Sequence, residues 1–76
     1  MLRYKTPDGK PLEAESLRAL AEALWREMKF PDPSLEEWMR GSAARAKNWN
    51  GAVIRTTSPE EHMLDLIAAG ILMPLD

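Results

Sequence analysis

Three serines that each stand directly before a helix-period apolar pattern constrain the fold of this chain more than any other feature. They are Ser16, Ser34 and Ser58, and the last two are followed three residues later by Glu37 and Glu61. A serine hydroxyl at such a position accepts a hydrogen bond from an unpaired N–H of the first turn, and the glutamate can bond back to the serine. The sequence therefore predicts three capped helices.

The apolar spacing after each serine predicts how far each helix extends. Residues 17–29 repeat apolar side chains at intervals of three and four, whereas residues 35–48 repeat them less regularly around Gly41. Residues 59–69 begin with proline at the first helical position and are followed by Gly70, which suits a left-handed C-terminal cap. We therefore expect helices over these three ranges.

The beginning of the chain alternates apolar and charged side chains on both sides of a turn sequence. Residues 7–9, which read Pro-Asp-Gly, interrupt the alternation with types that favour a bulged turn. We predict a β-hairpin over residues 2–15 with Tyr4 opposite Leu12. The same register pairs Leu2 with Ala14 and Arg3 with Glu13.

A further short segment, residues 52–56, carries the β-branched Val53 and Ile54 and predicts a third strand. The predicted order is ββααβα. The fold class is α+β, with a small sheet packed against three helices. The length of 76 residues suits a single compact domain over residues 1–76.

Composition excludes several classes of protein. The chain contains no cysteine, which argues against a disulfide framework or a thiolate metal site, and its longest apolar run is far shorter than a membrane span. The formal charge of -2 provides no global attraction to nucleic acid or to an anionic membrane. We expect a soluble, cytoplasmic protein without a membrane partner.

No catalytic, cofactor or metal constellation is evident in the sequence. His62 is the only histidine, and a structural zinc site needs four ligands, so we interpret it as a partly exposed helix residue. The serines before the helices are explained as caps, and the pairs Glu36-Glu37 and Glu60-Glu61 lie in first turns that favour acid. We therefore expect no enzymatic activity and no cofactor.

One segment has a local charge that differs from the rest of the chain. Between Glu37 and Glu60 there is no acidic residue, while basic side chains recur around an aromatic one that could stack on a base. The candidate anion or nucleic-acid patch consists of Arg40, Arg45, Lys47, Trp49 and Arg55. Alternatively, the basic side chains favour the helix C-terminus, Trp49 packs inward, and the patch pairs with the acidic edge of the hairpin or with Asp32.

Large apolar side chains provide a second candidate surface, because three tryptophans and five methionines are many for so small an interior. Tryptophan and methionine are enriched at protein interfaces. The candidate protein-interaction surface consists of Trp25, Met28, Trp38 and Met39. The alternative is that these residues form the core.

The sequence therefore favours a non-enzymatic module that binds another protein or a second copy of itself, in a regulatory or accessory role. Binding of nucleic acid or another anion through the segment from Arg40 to Arg55 is the alternative function.

Overall fold

Three strands and three helices form the part of the chain that the computed structural model describes, residues 1–27 and 32–75. The elements are β1 (Leu2–Lys5), β2 (Pro11–Ala14), α1 (Leu17–Arg26), α2 (Leu35–Asn50), α3 (Pro59–Ala68) and β3 (Met73–Pro74). The strands form an antiparallel sheet of order β2-β1-β3. The α+β class is confirmed, and the element order is ββαααβ.

The hairpin has the register that the sequence predicts. Tyr4 lies opposite Leu12, and Arg3 lies opposite Glu13 with 3.1 Å between the Arg3 Nε and Glu13 Oε1 atoms. Gly9 adopts a φ of 87°, which a residue with a side chain rarely adopts. Side chains alternate between the faces of a strand, so the face that carries Leu12 is buried and packs toward α1.

All three serine caps are confirmed. The hydroxyl oxygens of Ser16, Ser34 and Ser58 accept hydrogen bonds from the backbone N–H three residues later, at 3.1, 3.2 and 3.1 Å. The Glu61 carboxylate accepts from the hydroxyls of Thr57 and Ser58. The return bond at α3 therefore runs to side-chain hydroxyls, where a backbone N–H was expected.

The helix ends differ slightly from the predicted bounds. Helix α1 ends at Arg26, and the predicted extension over residues 28–29 lies outside the described residues. Helix α2 continues to Asn50, two residues beyond the prediction, and α3 ends at Ala68.

Helix α1 packs on α3, on β2 and on α2. The buried apolar core is made by Leu12, Ala14, Leu20, Ala21, Trp38, Met39, Ala46, Ile54, Met63, Leu66 and Leu72.

The predicted strand over residues 52–56 is not part of the sheet. Ile54 is buried and Val53 is 84% exposed, so the burial alternates as in a strand. However, the Arg55 N–H donates to the Asp65 carboxylate at 2.8 Å, and the Arg55 carbonyl accepts from the His62 ring at 2.8 Å. Side chains of α3 thus occupy backbone groups that a neighbouring strand would need. The segment is extended chain pinned to α3.

The third strand follows α3 instead. The Gly70 N–H bonds to the Ile67 carbonyl and the Ile71 N–H to the Leu66 carbonyl, both at 3.0 Å. Gly70 has a φ of 77°, which confirms the predicted left-handed cap, and the two bonds make it a Schellman arrangement. The turn buries Leu72 and brings β3 alongside β1.

Candidate functional site

The predicted basic patch does not form one surface, because α3 holds Arg55. The Arg55 Nε and Nη2 atoms donate to the two Asp65 carboxylate oxygens at 2.9 and 3.0 Å, and Nη1 donates to Glu61 at 2.9 Å. Two carboxylates therefore balance this guanidinium. This corrects the expectation that Arg55 serves the patch.

The other four members of the patch lie on α2 and are exposed, but they do not line one common opening. Arg45 and Trp49 line one groove, whereas Arg40 lines a separate polar pocket. Lys47 lies in the exposed last turn of the helix. The structure thus brings Arg45 and Trp49 together and separates Arg40 from them.

The predicted protein-interaction surface is corrected as well. Trp38 and Met39 are 4% and 3% exposed and belong to the core, so neither presents the broad exposed surface that was expected. Trp25 is half-buried, and its indole N–H donates to the Asp32 carbonyl at 2.8 Å. Met28 lies outside the described residues. The alternative, that these residues make the core, is correct for Trp38 and Met39.

Among the aromatic side chains that the structure describes, Trp49 is the most exposed, with 62% of its surface in contact with solvent. The expectation that it packs inward is wrong, because residues 47–51 at the end of α2 are all exposed. An exposed tryptophan leaves a large apolar surface in water.

A groove of about 440 Å³ opens beside this tryptophan. We call it the Trp49 groove. It lies between the hairpin loop, α1, α2 and the chain that follows α3. Its lining residues are Thr6, Pro7, Leu24, Trp38, Ser42, Arg45, Ala46, Trp49, Leu66, Ile71 and Leu72. Most of these side chains are apolar, and the volume is in the range of ligand sites.

Arg45 provides the charge in this groove. Its side chain is exposed, and within residues 1–27 and 32–75 it forms no ion pair. An arginine fork can bind a carboxylate through two parallel N–H···O bonds. The groove therefore combines apolar contact surface with a donor that suits an acidic group.

His62 is fully buried, which corrects the expectation of a partly exposed residue. Its Nδ1 lies 2.8 Å from the Arg55 carbonyl and its Nε2 lies 3.0 Å from the Ser42 hydroxyl. A carbonyl only accepts, so Nδ1 carries the proton and Nε2 accepts from Ser42. The ring also meets Trp38 edge to face at 5.3 Å. The histidine thus ties α3 to α2 and to residue 55.

Burial lowers the pKa of His62 below its ordinary value of 6.5, although the Arg55 carbonyl and the Asp65 carboxylate oppose the shift. The imidazole is therefore neutral at pH 7. Both ring nitrogens have hydrogen-bond partners, so His62 and Ser42 satisfy each other's polar groups inside the core.

Asp65 is the most strongly perturbed carboxylate. Hydrogen bonds from the Arg55 guanidinium and from the Arg55 backbone N–H lower the pKa of Asp65 from 3.8 to about 2. The Thr57 hydroxyl and the Arg55 charge also lower the pKa of Glu61. The ionised form of both carboxylates is favoured by the hydrogen bonds that they accept and by the positive charge of Arg55. The same bonds hold the extended segment on α3.

Replacing Asp65 with asparagine is expected to lower the urea midpoint at pH 7 and to reduce the acid sensitivity of the protein. The folded-state pKa is lowered, so the stabilisation is present above about pH 4 and is lost as the pH falls toward 2. Urea unfolding from pH 7 to pH 2 measures both effects. Glu60→Gln, at an exposed position on the same helix, is the control. A variant that loses as much stability in acid as the wild type would contradict the prediction.

Sequence reasoning missed most of the groove. Leu24 belongs to the apolar repeat of α1, and Leu66, Ile71 and Leu72 join it in one groove only through the packing of α3 and the chain that follows it. The detectable signal was Ser42 on an otherwise apolar helix face, because a buried hydroxyl needs a polar partner. That partner, His62, is 20 residues away in the chain.

Within the described residues, no group of three or more His, Cys, Asp or Glu side chains is placed to hold a metal ion. None of the described helices is both long and apolar enough to cross a bilayer. The chain shows no significant match to a protein-family model, to a curated protein or to a solved structure.

Proposed function

We propose that this protein is a non-enzymatic binding module that docks on another protein through the Trp49 groove. The observation that carries this proposal is the exposed Trp49 beside an apolar groove with Arg45 on its rim. Tryptophan and arginine are the side chains most enriched at binding hot spots, where a few residues provide most of the affinity.

The chemistry of the groove defines its occupant. Its floor contains the apolar side chains of Leu66 and Leu72, which favour an aliphatic or aromatic side chain. Arg45 favours an acidic side chain beside that apolar contact. The occupant is therefore a short segment of another protein with apolar residues and one carboxylate.

A cytoplasmic location stays a prediction.

Selection of peptides from a displayed random library tests this function. We expect peptides with a shared apolar and acidic pattern that bind the wild type at least about tenfold more tightly than Trp49→Ala, as is typical of a hot spot. Arg45→Glu should discriminate against the acidic residue, and a lysine at that peptide position should restore binding to it. Affinities are measured by fluorescence anisotropy.

Val53→Ala is the matched control, because Val53 is 84% exposed and lies outside the groove. Its affinity for the selected peptides should equal that of the wild type. A library that returns no binder, or peptides that bind Trp49→Ala as well as the wild type, would remove the proposal. Sedimentation equilibrium would reveal a second copy as occupant, through a dimer that Trp49→Ala dissociates.

Nucleic acid is the second candidate partner. Trp49 follows Arg45 and Lys47 at the exposed end of α2, and exposed aromatics with basic neighbours suit single-stranded nucleic acid. The neutralised Arg55 and the formal charge of -2 make this partner less favoured. An NMR titration with a mixed-sequence oligonucleotide at low and physiological salt tests it. Salt-sensitive shifts confined to this end of α2 would favour the nucleic-acid function.

A further inference from the structure

A second pocket, separate from the Trp49 groove, combines two arginines with polar side chains. We call it the Arg18–Arg40 pocket. It has a volume of about 530 Å³ and shares no lining residue with the groove. Leu35 and Met39 contribute apolar side chains, and Thr56 and Pro59 form the wall that leads into α3.

The two arginines have no ionic partner in the part of the chain that the structure describes. Arg18 lies near the start of α1, and Arg40 lies on α2 four residues after Glu36. Glu36 also lines the pocket, yet it forms no ion pair with Arg40. The hydroxyl of Thr56 likewise has no hydrogen-bond partner among the described residues. Unused donors from three elements of the fold thus line one opening.

Structural roles do not account for these arginines. The helix starts beside the pocket are already capped by Ser34 and Ser58. The basic side chain that pins the extended segment to α3 is Arg55, which has its own carboxylates. Arg18 and Arg40 are exposed, so neither fills the core.

We propose that the Arg18–Arg40 pocket binds a phosphate monoester group. Guanidinium groups donate to phosphate oxygens through pairs of hydrogen bonds, and the Thr56 hydroxyl adds a neutral donor. The pocket is larger than a bare ion needs, so it has room for the group that the ester carries. Glu36 is the one carboxylate that lines it and opposes an anion.

NMR titrations of the intact, ¹⁵N-labelled protein at constant ionic strength test the site. The probes are inorganic phosphate, capped O-phosphoserine and adenosine 5′-monophosphate. We expect shifts of the Thr56 and Arg40 amides and of the arginine Nε–H signals. Arg18→Gln and Arg40→Gln should each weaken binding about tenfold, in line with the loss of a charge-assisted hydrogen bond.

Two further variants make the assignment specific. Glu36→Gln should strengthen binding several-fold because it removes a like charge from the site. Arg26→Gln, at the exposed far end of α1, should leave the affinity unchanged. A stronger response to phosphoserine indicates a modified protein as the source of the ester, and a stronger response to the nucleotide indicates a small metabolite.

The proposal is overturned if no probe causes localised shifts, or if the Arg18→Gln, Arg40→Gln double variant binds as the wild type does. The amide spectrum of each variant establishes that it is folded. Because the two openings share no residue, this site can fail while the Trp49 groove binds its peptide, and the reverse also holds.

Discussion

Replacing Leu72 with alanine is expected to cost about 2–5 kcal/mol of unfolding free energy, the usual range for a buried leucine. Leu72 is 2% exposed and lies where the chain leaves α3 and enters β3. A domain of this size has a total stability of only about 5–15 kcal/mol. The variant should therefore lose a large share of the total stability. Urea unfolding followed by tryptophan fluorescence and by circular dichroism measures the loss.

Val53→Ala is the matched comparison, because the predicted third strand placed Val53 in the sheet. The structure exposes 84% of this side chain and leaves it outside any strand, so the substitution should change stability by no more than about 0.5 kcal/mol. If Val53→Ala cost more than Leu72→Ala, residues 52–56 would be the strand and β3 would be wrong.

Local interactions explain why so much of the fold is readable from the sequence. A serine cap depends on bonds within one turn, and the hairpin register depends on a turn and on pairs that face each other across it. The Schellman turn at Gly70 likewise involves only its neighbours along the chain. The caps, the hairpin register and the turn at Gly70 are each specified by residues that are close to them in the chain.

The third strand depends on contacts that no local pattern contains. Ile54 alternates with exposed neighbours as in a strand, but Asp65 and His62 take the backbone groups of Arg55. The true strand, Met73–Pro74, is two residues long and contains a proline, so neither length nor composition marks it. Its partner is β1, at the opposite end of the chain.

The site was difficult to predict for a related reason. The apolar spacing of α2 places Trp38 and Trp49 on similar faces, yet Trp38 is buried and Trp49 is exposed. Residues 47–51 at the end of α2 are all exposed, whereas Trp38 lies in the part of the helix that belongs to the core. Periodicity predicts which face of a helix is apolar, but it does not predict how much of that face is covered.

Replacing His62 with alanine is expected to cost about 3 kcal/mol or more. The substitution removes the donor to the Arg55 carbonyl and the acceptor for the Ser42 hydroxyl, and it leaves a cavity beside Trp38. A buried polar group without a partner costs about 1–3 kcal/mol. Ser42→Ala should cost less because it leaves only Nε2 unpaired. Urea unfolding at pH 7.5 measures both variants, and a larger loss for Ser42→Ala would contradict this hydrogen-bond assignment.

The same histidine should make the wild type lose stability below about pH 6.5. Burial lowers the pKa of His62 in the folded state, so the unfolded chain binds the proton more readily and is stabilised relative to the folded state as the pH falls. The slope is at most about 1.4 kcal/mol per pH unit. Because His62 is the only histidine and Asp65 titrates near 2, the interval from pH 6.5 to 5 reports mainly on this ring. His62→Gln keeps an amide donor and acceptor but does not titrate, so its urea midpoint should be nearly constant there. An equal slope in the variant would assign the effect to another group.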